Sequence, residues 1–543
     1  MNILDLYRRE STISGFPVLI MGIVSGIAQS LLLGIITIAA DTASHETLNF
    51  KFFVLFVIAF LIMMLGKRYA LKKATVIAEE IIERVRVRLS NKIRNSELVL
   101  IENLGKGDIY TRVANDTNLI SQTALVIINA SQSAIMVIFC LFFIAVLSKL
   151  AFVITILSVI VGVINYLHHS NVVADDLRET TRQEGLFFEM INQILDGFKE
   201  LKVNQRRSED YFSRFKILAT ETKTLKVKTG IRFIVDLMYS EIFFYLLLAI
   251  VVFIMPRFEQ IDSELIIRIT AAVLFIMGPL NMVVGAIPMF ARANMAVEQL
   301  YGLEAQLDAA SQAYAVEEEA PLSTIAAFDE IVLHDLCFSY TDQYGSPLFT
   351  VGPLDFTLHK GEVVFLIGGN GSGKTTLLKL FTGLYYPDSG DIKVDGTLID
   401  QRNYQAYREL FSIIFADFHL FDRLYGLDGV NEERVRDLLH LMELDKKTEI
   451  INGEFTNINL STGQRKRLAM IVALLDNRPI YVFDEWAADQ DPNFRQYFYE
   501  VLLRNLQDQG KTVVAVSHDD RYFHFADRVF KMEYGQFVNM KTV

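Results

Sequence analysis

The sequence predicts a two-domain membrane protein, in which six membrane-spanning helices are followed by an α/β domain that contains a phosphate-binding loop. Three observations lead to this fold class. Apolar runs of membrane-crossing length are concentrated in about the first 300 positions, and short strand-like and helical runs alternate from Ile331 onward. A glycine-rich loop at residues 368–375 lies between a predicted strand and a predicted helix. The chain therefore combines a lipid-embedded part with a water-soluble part.

The composition supports a membrane location and excludes some functions. The chain has 543 residues, which is too many for a single hydrophobic core. Its 40 Phe and 16 Met residues provide more apolar side-chain surface than a water-soluble protein can bury. A net charge of -12 argues against a nucleic-acid partner, because a phosphate backbone requires a basic face. The two cysteines, Cys140 and Cys337, lie far apart and provide neither a disulfide framework nor a metal-ligand spacing.

Six apolar runs are each long enough to cross a bilayer. They cover residues 13–40, 50–66, 124–147, 150–167, 231–255 and 265–291. The first run is too long for a secretory signal and is followed by no small-residue cleavage site, so we expect it to remain as the first span. Acidic residues follow the first and fifth runs, whereas a basic cluster follows the second (Lys67, Arg68, Lys72 and Lys73). The positive-inside rule therefore predicts that both termini are cytoplasmic.

Charged helical segments connect the second span to the third and the fourth span to the fifth. At ~1.5 Å per residue, the first of these reaches roughly 50 Å into the cytoplasm before the chain turns back, and residues 171–229 repeat the arrangement. We interpret most charges on these segments as a solvated helix face. The two hairpins are predicted to turn at residues 107–112 and 197–202.

Polar side chains inside the spans are costly, so we expect them to face the helix bundle or a wet cavity. The candidates are Asp236 and Glu241 in the fifth span, Asn129 and Gln132 in the third, and Asn281 in the sixth. Hydrogen bonding between helices explains them as well as a contact with transported cargo does. Both interpretations stay open.

Residues 302–327 predict a linker, because they are acidic and alanine-rich and contain Pro321. This gives a membrane domain over residues 1–301 and a nucleotide-binding domain over residues 328–543. In the second domain, the alternation of strand-like and helical runs is typical of an α/β fold with a largely parallel sheet.

The segment GGNGSGKT at residues 368–375 fits the phosphate-loop pattern G-x-x-x-x-G-K-[ST], and it lies between a predicted strand (residues 362–367) and a predicted helix (residues 376–381). Its backbone N–H groups are expected to surround phosphates at the helix N-terminus. Lys374 would contact the β and γ phosphates of ATP, and Thr375 would offer its hydroxyl to Mg²⁺. The predicted ATP-binding residues of this segment are Gly368, Asn370, Gly371, Ser372, Gly373, Lys374, Thr375 and Thr376.

Two further motifs follow the loop. The apolar segment IYVFDE ends in Asp484, the candidate metal ligand, and Glu485, the candidate general base. Alone, such a segment often marks an ordinary strand end. Between the two motifs, LSTGQ at residues 460–464 begins a helix and departs by one residue from the LSGGQ signature of ABC ATPases. A helix N-terminus at this point can bind the γ-phosphate.

With these three motifs in this order, the chain resembles the ABC ATPases. The resemblance implies that Tyr340 stacks on adenine, that His518 contacts the γ-phosphate, and that residues 488–491 form the loop that crosses to a partner subunit. In this family the signature segment completes the ATP site of a second domain. The resemblance therefore implies a homodimer with two ATP between identical halves, in which Ser461, Gly463 and Gln464 contact the partner's nucleotide.

The hairpin turns resemble the coupling regions of ABC exporters, which implies a six-helix exporter membrane domain. The segments at residues 485–492 and 517–523 are similar to a narrower bacterial branch that exports cyclic peptides and siderophores, including pyoverdine- and syringomycin-type exporters and an enterobacterial exporter of a peptide antibiotic. This implies a peptide or siderophore-like cargo and a location in the bacterial inner membrane. A lipid or multidrug exporter and a membrane-anchored regulatory ATPase that moves no cargo remain as alternatives.

The segment at residues 413–421 aligns with the Q-loop of the family, but Ala416 stands where the glutamine is expected. The glutamine's metal and coupling roles therefore do not carry over. Asp417 follows directly and is a further metal candidate, acting through a water, although a solvated or capping carboxylate explains it too. The single tryptophan, Trp486, follows Glu485 and is expected at the nucleotide interface.

Overall fold

The computed structural model describes residues 3–11, 15–43, 50–257, 263–313, 328–342, 345–400, 402–427, 429–538 and 541–542, without some side chains inside helices, among them that of Asp236. The chain divides into two compact units. The helical unit comprises Met1–Arg94 and Leu104–Asp308, and the α/β unit comprises Asn95–Asn103 and Ala309–Val543.

The helical unit consists almost entirely of long helices that continue beyond their apolar portions. Its helices are α1 (Ile3–Glu10), α2 (Phe16–Ala43), α3 (Phe50–Arg94), α4 (Leu98–Leu104, most of which belongs to the α/β unit), α5 (Lys106–Tyr110), α6 (Thr117–Leu147), α7 (Lys149–Asp196), α8 (Phe198–Val203), α9 (Gln205–Ala249) and α10 (Ser263–Ala313). A π-helical turn at Thr111–Asp116 leads into α6, and another at Ile250–Ile254 follows α9.

Four helical stretches in the described ranges are long and apolar enough to cross a membrane: Phe16–Ala39, Phe50–Arg94, Lys106–Leu147 and Glu264–Ala309. A shorter apolar stretch, Lys149–Gly162, begins α7. The predicted membrane character of the first domain is therefore confirmed, whereas the count of six spans stays a prediction.

Small residues let α2 approach α3 and α6 closely. A Cβ added to Gly66 would lie 3.2 Å from the carbonyl oxygen of Met21, and one added to Gly26 would lie 3.3 Å from the carbonyl oxygen of Gln132. The Ser25 hydroxyl donates a hydrogen bond to the Met63 carbonyl oxygen at 3.0 Å. Membrane helices associate through this kind of close packing, because lipid provides no hydrophobic drive between them.

The predicted linker begins too early in the sequence. Residues 302–313 continue α10, where Glu304 accepts from Arg88 at 2.8 Å and forms an ion pair with Lys92 at 2.8 Å. Asp308 also pairs with Lys92. The acidic and alanine-rich composition that predicted a linker thus belongs to a helix whose carboxylates face the cations of α3. Residues 314–327, the rest of the predicted linker, lie outside the described residues.

The first hairpin is divided between the two compact units. Asn95–Asn103 groups with the α/β unit, whereas residues 107–112 belong to the helical unit. The physical reason is that Leu98 and Val99 supply apolar side chains that pack against the core of the α/β unit.

The α/β unit contains a mainly parallel sheet, as predicted. Its elements are β1 (Glu330–Thr341), β2 (Pro347–His359), β3 (Val363–Ile367), α11 (Lys374–Phe381), β4 (Ser389–Val394), β5 (Thr397–Leu398), α12 (Tyr404–Arg408), β6 (Phe411–Ile414), α13 (Glu432–Leu441), β7 (Ile450–Ile451), β8 (Glu454–Phe455), α14 (Thr462–Asp476), β9 (Ile480–Asp484), α15 (Pro492–Tyr497), α16 (Leu503–Asp508), β10 (Thr512–Val516), β11 (Arg528–Glu533), β12 (Gln536–Phe537) and β13 (Lys541–Thr542). The main sheet has the order β12-β11-β3-β10-β9-β6, with β13 also on β11, and a second, antiparallel sheet has the order β2-β1-β4-β5.

The central strands position the functional site. Strands β9 and β10 are buried along their whole length, and β3 is buried except at its last residue. They run parallel, in the register Val514 to Val364 and Val514 to Val482. Their near-continuous apolar sequences suit strands that are covered on both faces. Because parallel strands place their carboxyl ends at one edge, the segments that follow β3, β9 and β10 meet there.

The close approach of α2 and α3 generates a stability prediction. Gly66→Val should lower the melting temperature of the detergent-solubilised protein, because overpacking typically costs about 1–3 kcal/mol. Gly34→Val is the matched control, since it adds the same side chain to a helical glycine that has no atom within 4 Å of an added Cβ. Equal shifts in both variants would contradict the inferred packing constraint.

Candidate active site

The phosphate loop lies between β3 and α11, as predicted, with the helix beginning at Lys374 rather than at Thr376. Gly368, Gly371 and Gly373 have φ angles of 150°, 75° and 102°. A Cβ on Gly368 would lie 2.2 Å from the carbonyl oxygen of Met532, which excludes any other residue there. The glycines therefore allow the backbone to wrap a ligand at the N-terminus of α11.

Two polar side chains of the loop are suited to an anion. The Lys374 ammonium donates hydrogen bonds to the carbonyl oxygens of Gly368 and Gly369, both at 2.9 Å, which hold it over the loop. Burial lowers the pKa of Lys374, whereas the carboxylates of Glu485 and Asp484 raise it. The Ser372 hydroxyl oxygen is buried and has no hydrogen-bond partner among the described residues. Phosphate oxygens would satisfy both groups, so the loop fits a nucleotide phosphate.

Thr375 and Asp484 form the candidate magnesium position. The Thr375 hydroxyl donates to Asp484 Oδ2 at 3.0 Å, and Asp484 is 1% exposed. Burial raises the pKa of the Asp484 carboxyl, while hydrogen bonds from Thr375 and the Ala416 backbone lower it. A hydroxyl and a carboxylate suit Mg²⁺, which usually takes its remaining ligands from phosphate and water.

Glu485 and His518 face each other across the ends of β9 and β10. His518 Nε2 lies 2.9 Å from Glu485 Oε1, and the two side chains are 44% and 34% exposed. Glu485 has a left-handed backbone with a φ of 48°, a conformation that costs a residue with a Cβ about 1–2 kcal/mol. Strain of this kind is concentrated at functional positions. The carboxylate is thus accessible and oriented, as a general base needs to be.

Tyr340 reaches the phosphate loop through its hydroxyl group. The Tyr340 hydroxyl lies 3.2 Å from Thr376 Oγ1 and 3.4 Å from the Tyr385 hydroxyl, and its ring packs edge-on against Phe338. The structure therefore brings Tyr340 next to the predicted nucleotide site. Its stacking on adenine stays a prediction.

The signature residues occupy the N-terminus of α14. Ser461 and Gln464 form a reciprocal capping box, in which the Ser461 N–H donates to Gln464 Oε1 at 3.2 Å. The Gly463 carbonyl oxygen accepts from Gln490 Nε2 at 3.1 Å. A Cβ on Gly463 would lie 2.7 Å from the carbonyl oxygen of Asp489. The signature segment is thus fastened to the segment that follows Glu485.

The predicted site residues fall into two groups. The phosphate loop, Asp484, Glu485 and His518 meet at one sheet edge, whereas Ser461, Gly463 and Gln464 meet the segment at residues 488–491. The side chain of Asp417 is exposed, and its role as a metal ligand stays a prediction.

The expectation for Trp486 is wrong. Its side chain is 1% exposed, stacks on Phe498 and donates a hydrogen bond to the Lys466 carbonyl oxygen at 2.9 Å. The indole is a core group of the α/β unit because α14 packs over it. Sequence reasoning also missed Lys466 and Tyr385. Lys466 stands between Arg465 and Arg467, so no local signal distinguished it from a solvated cation.

Comparison with known proteins identifies the family. A family model described as ABC transporter matches residues 351–488. The ATP-binding protein SyrD of Pseudomonas syringae pv. syringae is 32% identical over 542 residues, which cover 96% of this chain and 94% of SyrD. The chain is an ABC exporter. It is therefore an ATP-hydrolysing membrane transporter.

Two further similarities fit this exporter family. The ATP-dependent lipid A-core flippase of Vibrio vulnificus is 28% identical over 52% of this chain and 48% of the flippase. A solved structure of a bacterial Atm1-family ABC exporter with ATP bound superposes with a TM-score of 0.78, at 16% identity, over 98% of this chain and 95% of that one. The second similarity confirms the exporter fold.

The geometry of Glu485 in this exporter predicts that its carboxylate is needed for ATP hydrolysis but not for ATP binding. Glu485→Gln should lower the steady-state rate of ATP hydrolysis at least ~100-fold, because the attacking water loses its proton acceptor. The affinity for ATP should stay unchanged, since Lys374 and Thr375 are retained. Glu433→Gln, an exposed change in the first turn of α13, is the control. Hydrolysis near the wild-type rate would remove Glu485 from the role of base.

For Lys374 we predict instead a loss of ATP binding. Lys374→Ala should weaken ATP binding by about 10-fold to 100-fold, since a hydrogen bond to a charged group contributes about 1.5–3 kcal/mol. Equilibrium binding to the purified exporter measures this loss, with the exposed Lys360→Ala as control. Unchanged affinity would show that the loop backbone alone holds the phosphates.

Proposed function

We propose that this ABC exporter moves a cyclic peptide or siderophore-like compound out of the bacterial cytoplasm across the inner membrane, as a homodimer driven by ATP. The observation that carries the proposal is the match to SyrD, which extends over both units at 32% identity. The resemblance of residues 485–492 and 517–523 to the peptide and siderophore branch supports the cargo class. The match to the lipid A-core flippase covers about half of each chain, and it keeps a lipid exporter as the second candidate.

Two amides in the membrane helices support a polar cargo. Gln132 is 5% exposed and its Nε2 has no hydrogen-bond partner among the residues described. The side-chain oxygen of Asn281 is likewise buried and without a partner within the described ranges. Unsatisfied polar groups at membrane depth are expensive and mark functional positions. Amides or hydroxyls of a peptide-like compound would satisfy them, whereas a lipid tail would not.

The position of the signature segment supports a dimer. Ser461 is exposed at the N-terminus of α14, where the helix dipole favours an anion. Within the chain this segment contacts Gln490 rather than the phosphate loop. A second copy of the chain would bring its own signature segment to the phosphates held by Lys374. Two equivalent ATP sites then follow from two-fold symmetry.

The chain's own residues have defined tasks in hydrolysis. The phosphate loop binds and orients the nucleotide, and Lys374 neutralises part of its charge. Glu485 accepts the proton of the attacking water, and His518 holds the Glu485 carboxylate in place at 2.9 Å. Mg²⁺, when held by Thr375 and Asp484, would supply charge neutralisation on the phosphates.

Contacts of the first hairpin favour transport over a regulatory ATPase. Glu102, on α4, forms an ion pair with Lys379 at 2.8 Å and accepts a short hydrogen bond from the Tyr385 hydroxyl. Burial and the Glu102 carboxylate raise the pKa of Tyr385, so its hydroxyl remains a donor. Leu98 and Val99 pack against the apolar core beside it. Residues 95–103, which follow α3 in the sequence, are therefore held within the α/β unit by apolar and charged contacts together.

ATP-dependent uptake into inside-out vesicles tests the proposed function. Vesicles that contain the wild-type exporter should accumulate a cyclic lipopeptide or a peptide siderophore only with ATP, and vesicles with Glu485→Gln should not. A fluorescent phospholipid tested in parallel measures the second candidate. Accumulation of the lipid without the peptides would overturn the cargo class. Hydrolysis without movement of any probe would favour the regulatory alternative.

The contacts of Glu102 and the exposure of Asp417 lead to different predictions for the coupling between cargo binding and ATP hydrolysis. Glu102→Ala should reduce the stimulation of ATP hydrolysis by cargo while basal hydrolysis persists, because coupling is a free energy between sites. Asp417→Ala should leave the stimulation unchanged if its carboxylate is only solvated. Basal and cargo-stimulated rates of the reconstituted protein are the measurement, with the exposed Lys106→Ala as control. The reverse pattern would assign the coupling to the segment around Ala416.

A further inference from the structure

One buried cation outside the phosphate site has two partners beside the catalytic carboxylate. The side chain of Lys466, on α14, is 3% exposed. Its ammonium donates a hydrogen bond to the Glu485 carbonyl oxygen at 2.8 Å and forms an ion pair with Asp489 Oδ2 at 2.7 Å. A buried ammonium is costly unless it is paired, and a well-packed apolar side chain would often be at least as stable. The position of this cation therefore suggests a task other than stability.

The bonds of Lys466 hold the Glu485 carbonyl group and the side chain of the next residue, Trp486. Glu485 has the left-handed φ of 48°, and its carbonyl group is the acceptor of the ammonium. The next residue, Trp486, donates its indole N–H to the carbonyl oxygen of Lys466 at 2.9 Å. Side chain and backbone of one residue of α14 thus hold the turn that carries the proposed base.

The same helix begins at the signature segment. Lys466 follows Ser461 by five positions, and the helix between them is a rigid element. In the proposed homodimer, Ser461 contacts the nucleotide bound to the partner, whereas Glu485 acts on the nucleotide of its own chain. Asp489, the other partner of Lys466, lies in the segment that would cross between the subunits. Lys466 therefore joins elements that serve two different ATP sites.

We propose that Lys466 is a positioning residue that sets the backbone of Glu485 from the signature helix, so that binding of the partner's nucleotide at Ser461 is transmitted to the base of the same chain. This inference rests on the proposed homodimer. It assigns to Lys466 an effect on the rate of hydrolysis and on the cooperativity between sites, and no effect on the binding of ATP.

Lys466→Met tests the assignment, because methionine fills a similar volume and donates no hydrogen bond. In the purified full-length protein we expect kcat for ATP hydrolysis to fall at least 10-fold, KM to change less than 2-fold, and the Hill coefficient for ATP to fall towards 1. Lys360→Met, the same change at an exposed position outside the site, is the matched control and should stay within about 3-fold of wild type. A purely structural role would instead lower the melting temperature and the ATP affinity together.

Lys466→Arg is the second variant, since it keeps a cation and an N–H donor. If the hydrogen bond to the Glu485 carbonyl oxygen positions the base, Lys466→Arg should retain most of the wild-type kcat and cooperativity. This variant also allows the test to be made if Lys466→Met does not fold. Wild-type kcat and Hill coefficient in Lys466→Met would overturn the role of Lys466. A wild-type protein without ATP-induced dimers or cooperativity would instead overturn the proposed homodimer.

Discussion

The site depends on one constraint, the parallel pairing of β3, β9 and β10. Because these strands are buried and in register, their carboxyl ends lie at one edge of the sheet, and whatever follows each strand is brought together there. The phosphate loop follows β3, Glu485 follows β9, and His518 comes two residues after β10. A slip of one residue in any pairing would move the side chains of that strand to the other face of the sheet and shift these groups relative to one another. Catalytic geometry and core packing are therefore fixed by the same hydrogen bonds.

The sequence predicted the parts of the site that are local. Lys374, Thr375, Asp484 and Glu485 lie in short motifs at strand ends, so local pattern and tertiary position coincide, and the structure brings them together. The signature residues were also recognised, because their helix start has a distinctive sequence. Their attachment to Gln490 is a contact over 27 positions that no local pattern contains.

The remaining features depend on long-range contacts and could not be predicted. The extension of α10 to Ala313 is stabilised by carboxylates that face Arg88 and Lys92, more than 200 positions away. Trp486 was expected at the nucleotide interface from its place beside Glu485, yet the packing of α14 buries it. Charge and neighbouring sequence alone carry no information about which distant helix covers a side chain.

In the proposed homodimer, each ATP site is shared between two chains. Two variants that are inactive for complementary reasons, Lys374→Ala and Ser461→Arg, test it most directly when they are co-reconstituted. A mixed dimer would contain one site with an intact phosphate loop and an intact signature segment. At an ATP concentration too low to fill the weakened Lys374→Ala site, the mixture should therefore hydrolyse ATP although neither variant does so alone. A mixture as inactive as its components would contradict the shared site and would place a complete site within one chain.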